Sequence, residues 1–448
     1  MSYRPLVLVT APVGTRSGYG SHSRDIVRSL IAMDRFDVKI WPVRWGSTPQ
    51  NALSEQNPQD KLIIERILDS PNMDRQPDIH FHIVVPNEFQ NMAKYNIGIT
   101  AGLETTIIPP EWIEGLNRMN LNIVPANFVN ESVSKSVFDK QNDQKEKIGE
   151  LRCTTPIEVL FEGADTNIYK PTKEFSKELV DELKVIKEDF CFLFVGHWLQ
   201  GSLGNDRKDL GMLIKTFMET FKNQKKQPGL IIKTSGATPC ILDREEIMNK
   251  LTEIKKTVSG ELPNIYVLHG DLRDEEMNEL YNHPKVKAHV SFTHGEGFGR
   301  PLLEASFSEK PVIAPNWGGQ VDFLSSSNAI LLPGSLNDVK NESLMKGMHV
   351  KGTQWFTVNY NYASKILKDV FDKYSKYVVK GKKLAIVNNT KFSLDGMTKK
   401  FEEILDKHLP KFEEQPKQVN LKLPKLKKVS SVVEDAPKLE LPKLKRVK

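Results

Sequence analysis

The residues of this 448-residue chain best suited to chemistry lie in one stretch, Ser291–Leu324, with the sequence SFTHGEGFGRPLLEASFSEKPVIAPNWGGQVDFL. It reads as a strand end, a turn carrying Gly295, Glu296, Gly297, Phe298 and Gly299, and a helix opening at Arg300-Pro301, where proline takes a first-turn position that helices favour. Glycines let a backbone approach a ligand closely, and a helix N-terminus turns free N–H groups and the positive end of its dipole toward whatever lies there. A phosphate or diphosphate is the natural occupant. Glu304, about one turn into the helix, is placed to accept hydrogen bonds from ribose hydroxyls. Glu296, at the mouth, is placed to grip sugar hydroxyls beyond the phosphates.

Two further sets of polar residues bear on the same chemistry. Gly102-Leu103-Glu104-Thr105-Thr106 and Pro110-Glu111-Trp112 form a polar, partly aromatic loop after a strand, where an acceptor can dock and where Glu104 is the first choice for a general base, with helix capping as its equal alternative. His80 and His82 alternate on one strand and read as core histidines. No D-x-D motif occurs, and no His/Cys cluster has metal spacing, so metal-independent chemistry without a cofactor is expected.

These residues need a frame. Short hydrophobic runs alternate with longer amphipathic stretches twice over, the pattern of β-α-β units and parallel sheets. Strands are predicted at 6–10, 38–42, 79–85, 97–101 and 122–125 in the first half, with helices at 21–34, 61–68, 110–119 and 131–138. The second half has strands at 190–195, 230–234, 265–269, 289–293 and 312–314, with helices at 210–222, 244–258, 274–282 and 300–308, and further helices at 362–377 and 394–408. Two doubly wound α/β domains follow, residues 1–170 and 171–385, which the resemblance given below makes the acceptor-side and nucleotide-sugar-binding domains. A last helical stretch, 386–408, is placed to pack back on the first domain. Open α/β sheets bind ligands at the carboxyl ends of their strands, so the site belongs in the cleft between the two.

Composition agrees with a globular body. With 39% hydrophobic, 27% charged and 8% aromatic residues, the chain is neither collagen-like nor wholly disordered. Its apolar runs are too short for a bilayer span, and the chain passes from Met1 into a strand without a signal-peptide pattern, so the cytoplasm is the expected compartment. Cys153, Cys191 and Cys240 are odd in number and widely spaced, which suits free buried thiols. The net charge of +6 is not spread evenly: residues 409–448 hold 11 of the 63 basic and 5 of the 57 acidic side chains, leaving the body neutral. This Pro/Lys-rich tail repeats Leu421–Val429 (LKLPKLKKV) as Leu439–Val447 (LELPKLKRV). It reads as disordered chain carrying two copies of a motif for a protein partner or nucleic acid, with simple solvation as the alternative.

The run GEGFGRPLLEA, followed by Pro311-Val312-Ile313-Ala314 and Gly318-Gly319, resembles the donor site of retaining GT-B glycosyltransferases of the group 1, GT4-like, kind. The resemblance implies that Glu296 and the backbone of Phe298 and Gly299 hold the donor sugar and that Glu304 holds the nucleotide ribose, with Gly295, Gly297 and Arg300 in the same donor site. It also covers Phe192–Gly196 and the pair Arg207-Lys208, which resemble the family's strand, glycine and cations that neutralise a departing diphosphate; Lys233, ending a strand, is a third candidate. Gly14–Ser21, with Gly18 and Gly20, lacks the lysine of a P-loop and the third glycine of a Rossmann fingerprint, and resembles the glycine-rich loop of the GT-B first domain. The implied activity is transfer of a sugar from a nucleotide-diphosphate sugar, UDP-sugar first, to an acceptor hydroxyl. Modified bases of DNA, as in viral DNA glycosyltransferases, stand level with polysaccharide, lipid or protein as acceptor. A same-fold sugar hydrolase or phosphorylase, or a silent GT-B binding module recruited through its tail, is the alternative.

Overall fold

The first strand, β1 (Leu6–Ala11), is buried along its whole length, so it must be covered on both faces, as strands of a parallel sheet between helix layers are. The computed structural model describes residues 3–413, apart from Pro71 and Ala237; the repeats of the tail lie outside the described residues. After β1 come α1 (Gly18–Ala32), β2 (Asp37–Pro42), α2 (Pro58–Ile64), β3 (Ile79–Ile83), β4 (Tyr95–Ile99), α3 (Pro110–Asn117), β5 (Leu121–Val124), α4 (Asn127–Lys135), the short hairpin β6 (Phe138–Gln141) and β7 (Lys147–Leu151), and β8 (Ile157–Val159). The six strands other than the hairpin form one parallel sheet in the order β2-β1-β3-β4-β5-β8.

The second half repeats the scheme with α5 (Lys177–Leu183), β9 (Cys191–Val195), α6 (Leu210–Phe221), β10 (Gly229–Thr234), α7 (Ile241–Lys256), β11 (Ile265–His269), α8 (Asp274–Asn282), β12 (Val286–Val290), α9 (Arg300–Ser306), β13 (Val312–Pro315) and β14 (Ile330–Leu332). Its parallel order is β11-β10-β9-β12-β13-β14. Side-chain alternation along β9 explains the two helix layers: Phe192 and Phe194 join a core with α6 and α7, while Cys191 and Leu193 join another with α8 and α9. An antiparallel hairpin, β15 (Gly334–Asp338) and β16 (Gln354–Val358), then precedes α10 (Tyr360–Asp372), α11 (Tyr374–Lys391) and α12 (Leu394–His408).

The chain then returns to its first half. Thr398 on α12 bonds Ser29 on α1 at 2.7 Å, Arg35 pairs with Asp406 at 2.6 Å, and Ala164 exchanges backbone bonds with Phe392 and Leu394.

Several local expectations are corrected. The first helix begins at Gly18 and not at 21, because the Ser17 hydroxyl caps it by accepting from Gly20 N at 3.0 Å. The helix expected over 362–377 is two, broken at Lys373. Residue 138, taken as a helix end, starts β6. All three cysteines are free, but only Cys191 is buried; Cys240 is exposed and caps α7. No helix among the described residues is long and apolar enough to cross a membrane.

Candidate active site

Both sheets turn their carboxyl edges toward one another, and the residues singled out above meet there. The strand β9 ends at Val195-Gly196. A Cβ on Gly196 would sit 3.0 Å from the Phe194 ring and 3.6 Å from Cε of Lys208, so the missing side chain leaves room for the lysine above it. The loop that follows carries Arg207 and Lys208 to the start of α6, where the Asp206 carboxylate accepts from the backbone N–H of Leu210 and Gly211. Beyond β12 the elbow Gly295–Gly299 brings Glu296 up to meet them.

The Lys208 ammonium bonds Oε1 of Glu296, Arg207 lies 3.9 Å from its Oε2, and the same guanidinium bonds Glu104 of the first half. Four charged groups therefore alternate in sign around the elbow. Burial alone would raise the Glu296 carboxyl, but Lys208 and then Arg207 outweigh it and hold it below its ordinary range. Burial lowers the Lys208 ammonium, with Arg207 adding to the fall and Glu296 opposing it. Burial also works against the Arg207 guanidinium, which Glu104 and Glu296 more than offset. Glu104 therefore ion-pairs rather than capping a helix.

Glu304 is engaged from its own helix and from α8: Arg300 Nε donates to Oε1 at 2.8 Å, and the Tyr281 hydroxyl lies 3.4 Å from Oε2. Arg300 also donates to Asp25 Oδ2 on α1 at 2.6 Å. Burial raises the carboxyls of Glu304 and of nearby Glu162 to about 7 each, with Arg300 the main opposing influence on both.

The elbow faces the first half and touches it. A Cβ on Gly297 would fall 2.0 Å from the Ala101 carbonyl oxygen, and one on Gly295 would fall 2.7 Å from that of Glu104. Gly299 turns the chain into α9 at φ 98°, a left-handed conformation that favours glycine. Further bonds tie the edges: Thr106 N to the Gln354 carbonyl at 2.9 Å, Asn127 N to Asp322 at 2.9 Å, and the Thr238 hydroxyl to that of Ser47 at 2.9 Å. The two edges are therefore in contact at the elbow and at these three further points.

Other candidates lie off this centre. Lys233 is the last residue but one of β10, its carbonyl accepting from Gly196 N at 3.1 Å; burial lowers its ammonium, Asp271 opposes and Arg16 adds to the fall. Gly18 and Gly20 sit within the first turn of α1, and Gly20 packs against Thr15, whose carbonyl would be 2.2 Å from a Cβ. Phe298 turns its ring into the second core against Phe323 at 5.0 Å, leaving its backbone to the elbow. Trp112, expected in an acceptor loop, lies in α3 and is buried in a core of the first half with Phe89, Leu103 and Val129, because 110–117 is helical. His80 and His82 are buried core residues. Sequence reasoning missed Asp25, Glu162, Tyr281, Asp209 and His294. Glu162, a lone acid ending the apolar run Val159-Leu160-Phe161, and Asp209, beside the cation pair, carried the only local signals. No group of three or more His, Cys, Asp or Glu side chains able to hold a metal occurs among the described residues.

Comparison with protein-family models and with curated protein sequences finds no match. Solved structures do match. HepE of Anabaena, crystallised with UDP-glucose, superposes with a TM-score of 0.57 at 15% identity, over 90% of this chain and 100% of that one. Sucrose-phosphate synthase from Thermosynechococcus elongatus gives 0.60 at 11% identity, over 90% and 99%. A glycosyltransferase from Rickettsia africae gives 0.59 at 14%, over 91% and 99%. At such identities the likeness establishes the fold, which is GT-B: two parallel six-stranded α/β halves with facing carboxyl edges.

Proposed function

We propose that the chain is a glycosyltransferase that binds a nucleoside-diphosphate sugar, UDP-sugars first, in this cleft and transfers the sugar, with retention and without a metal, to an acceptor hydroxyl. The observation that carries the reading is the convergence of Arg207, Lys208 and Glu104 on Glu296 at the glycine elbow. The GT-B fold, shared with a protein crystallised with UDP-glucose, supports it.

In this reading the halves part, the diphosphate enters over Gly299 and the start of α9, and Arg207 and Lys208 turn from Glu296 to the phosphates. Glu296 is then free to accept from the sugar hydroxyls, and Glu304, released by Arg300, accepts from the ribose. The acceptor oxygen bonds to the anomeric carbon on the face from which the diphosphate departs. As the bond from that carbon to the β-phosphate oxygen breaks, the acceptor proton passes to the leaving diphosphate. Charge grows on that oxygen, and cations already in place stabilise it most as it develops. Glu104, released when Arg207 turns to the phosphates, stays on the first half beside the acceptor.

The test is release of nucleoside diphosphate from UDP-, GDP- and ADP-sugars, with and without glycan or hydroxylated-DNA acceptors and with a chelator present. Glu296→Ala is expected to lower turnover at least about 100-fold. Near-normal rates in that variant count against the reading, and sugar released to water or phosphate instead of an acceptor marks a hydrolase or phosphorylase.

A further inference from the structure

His294 stands two residues before Glu296, at the base of the elbow, and is fully buried. Its ring faces oxygens. Nδ1 lies 2.7 Å from the Phe356 carbonyl and 3.5 Å from the Thr357 hydroxyl; Nε2 lies 3.2 Å from the Gly204 carbonyl and 3.9 Å from Oδ1 of Asp209. The Trp355 indole stacks on the ring at 4.2 Å between centroids. A carbonyl accepts and never donates, so a ring with one at each nitrogen is satisfied only when both nitrogens carry hydrogen.

Asp209 faces the same ring. The Tyr360 hydroxyl donates to its Oδ2 at 2.7 Å, while the buried Oδ1 has no hydrogen-bond partner among the described residues and lies 3.9 Å from Nε2 of the His294 ring. Burial holds the ring's pKa below the ordinary histidine value against the Phe356 and Gly204 carbonyls, and the Asp209 carboxyl well above the ordinary carboxylate value against Tyr360, so it is the pair of carbonyls the ring faces that calls for a second ring proton. Asp206, in the same turn, adds to the rise in Asp209.

What the pair holds is the turn that presents the cations. Gly204 and Asp209 bracket Arg207 and Lys208, and the Arg207 carbonyl accepts from His294 N at 3.0 Å. Asp209 itself sits at φ 49°, a left-handed conformation that a non-glycine residue keeps only where its surroundings hold it. The backbone that aims Arg207 and Lys208 at Glu296 is therefore pinned from below at both ends by one side chain.

We propose that His294 and Asp209 are a positioning pair: the doubly protonated ring, set between the Gly204 and Phe356 carbonyls and the Asp209 carboxylate, fixes the strained turn that aims Arg207 and Lys208 at Glu296. The inference rests on the diphosphate-binding role given above to those cations and deepens it; neither residue touches a reacting atom.

The experiment takes the full chain with nitrogen-15 histidine and compares wild type with His294→Gln and the isosteric Asp209→Asn. Wild type is expected to show one histidine with two slowly exchanging ring N–H signals, absent in His294→Gln and reduced to one in Asp209→Asn. Backbone amides of 204–211 should exchange at least tenfold faster in either variant while those of β10 and β12 stay unchanged. Turnover of a UDP-sugar should fall at least tenfold, with UDP affinity weakened at least threefold and uridine affinity unchanged. A ring with a single N–H in wild type, or unchanged exchange of 204–211 in both variants, overturns the proposal. Wild-type protein that binds no nucleoside diphosphate sinks the nucleotide-sugar reading instead, and the ring signals and exchange rates decide the clamp by themselves.

Discussion

The Arg300 guanidinium, on α9, lies 2.6 Å from Asp25 on α1 and 2.8 Å from Glu304 on its own helix, and so ties the two halves together at the site. The carboxylate assigned to the ribose is thus already occupied, and opening the cleft means breaking a buried charge pair. Removing the Asp25 charge leaves the buried Arg300 cation with Glu304 alone and removes its hold on the first half. Asp25→Asn is expected to lower unfolding stability by about 3 kcal/mol, measured in urea at neutral pH. A loss no larger than a surface substitution gives would mean that the pair does not bind the halves together.

The contact at the elbow makes a second, purely steric prediction. A Cβ on Gly297 would meet the Ala101 carbonyl at 2.0 Å, and backbone cannot yield as a side-chain tip does. Gly297→Ala should cost about 1–3 kcal/mol of stability and widen the scattering envelope of the free protein. Unchanged melting and unchanged scattering would show that the halves do not meet there.

Two buried acids give the fold a pH dependence. Burial raises Glu162 and Glu304 to about 7 each in the folded chain, above the ordinary glutamate value in the unfolded one. The folded state then binds more protons than the unfolded state between roughly pH 4.5 and 7, so stability falls as pH rises through that window and is lowest, from this cause, above it. Glu162→Gln removes the titration and should raise the melting temperature more at pH 8 than at pH 5. An equal shift at both values would show that Glu162 titrates normally.

Lys208 and Glu296 should act as a unit. Lys208→Met leaves Glu296 buried with only the more distant Arg207, and turnover of a nucleotide sugar is expected to fall about 100- to 1,000-fold. Because both groups serve one step, the Lys208→Met, Glu296→Ala double variant should be little worse than the poorer single one. Multiplying losses would place the two residues in separate tasks.

Much of this frame can be read from the chain because burial on both faces writes strands as unbroken apolar runs. Ile265–His269, Asp274–Asn282 and Leu394–His408 fall where the pattern puts them. The hairpin of β15 and β16 escapes such reading: Gly334–Asp338 is exposed throughout and shows no apolar alternation. The first turn of α1 is hidden too, since Gly18 and Gly20 argue locally against helix and only the Ser17 cap reveals it. At the site, residue types point to Glu296, Arg207, Lys208 and Glu104 one by one. Their pairing across 88 and 103 positions, and the oxygens around His294, arise from tertiary placement that no local pattern encodes.

The most direct measurement is calorimetric titration of UDP, and of uridine alongside it, into wild-type protein and into an Arg207→Ala, Lys208→Ala variant. The expected result is that wild type binds UDP at least tenfold more tightly than the variant does, while uridine binds both alike, since the cations meet only the diphosphate. Equal UDP affinity in the two proteins, or no nucleotide binding by wild type with UDP, GDP or ADP, would contradict the assignment of this cleft to an activated sugar.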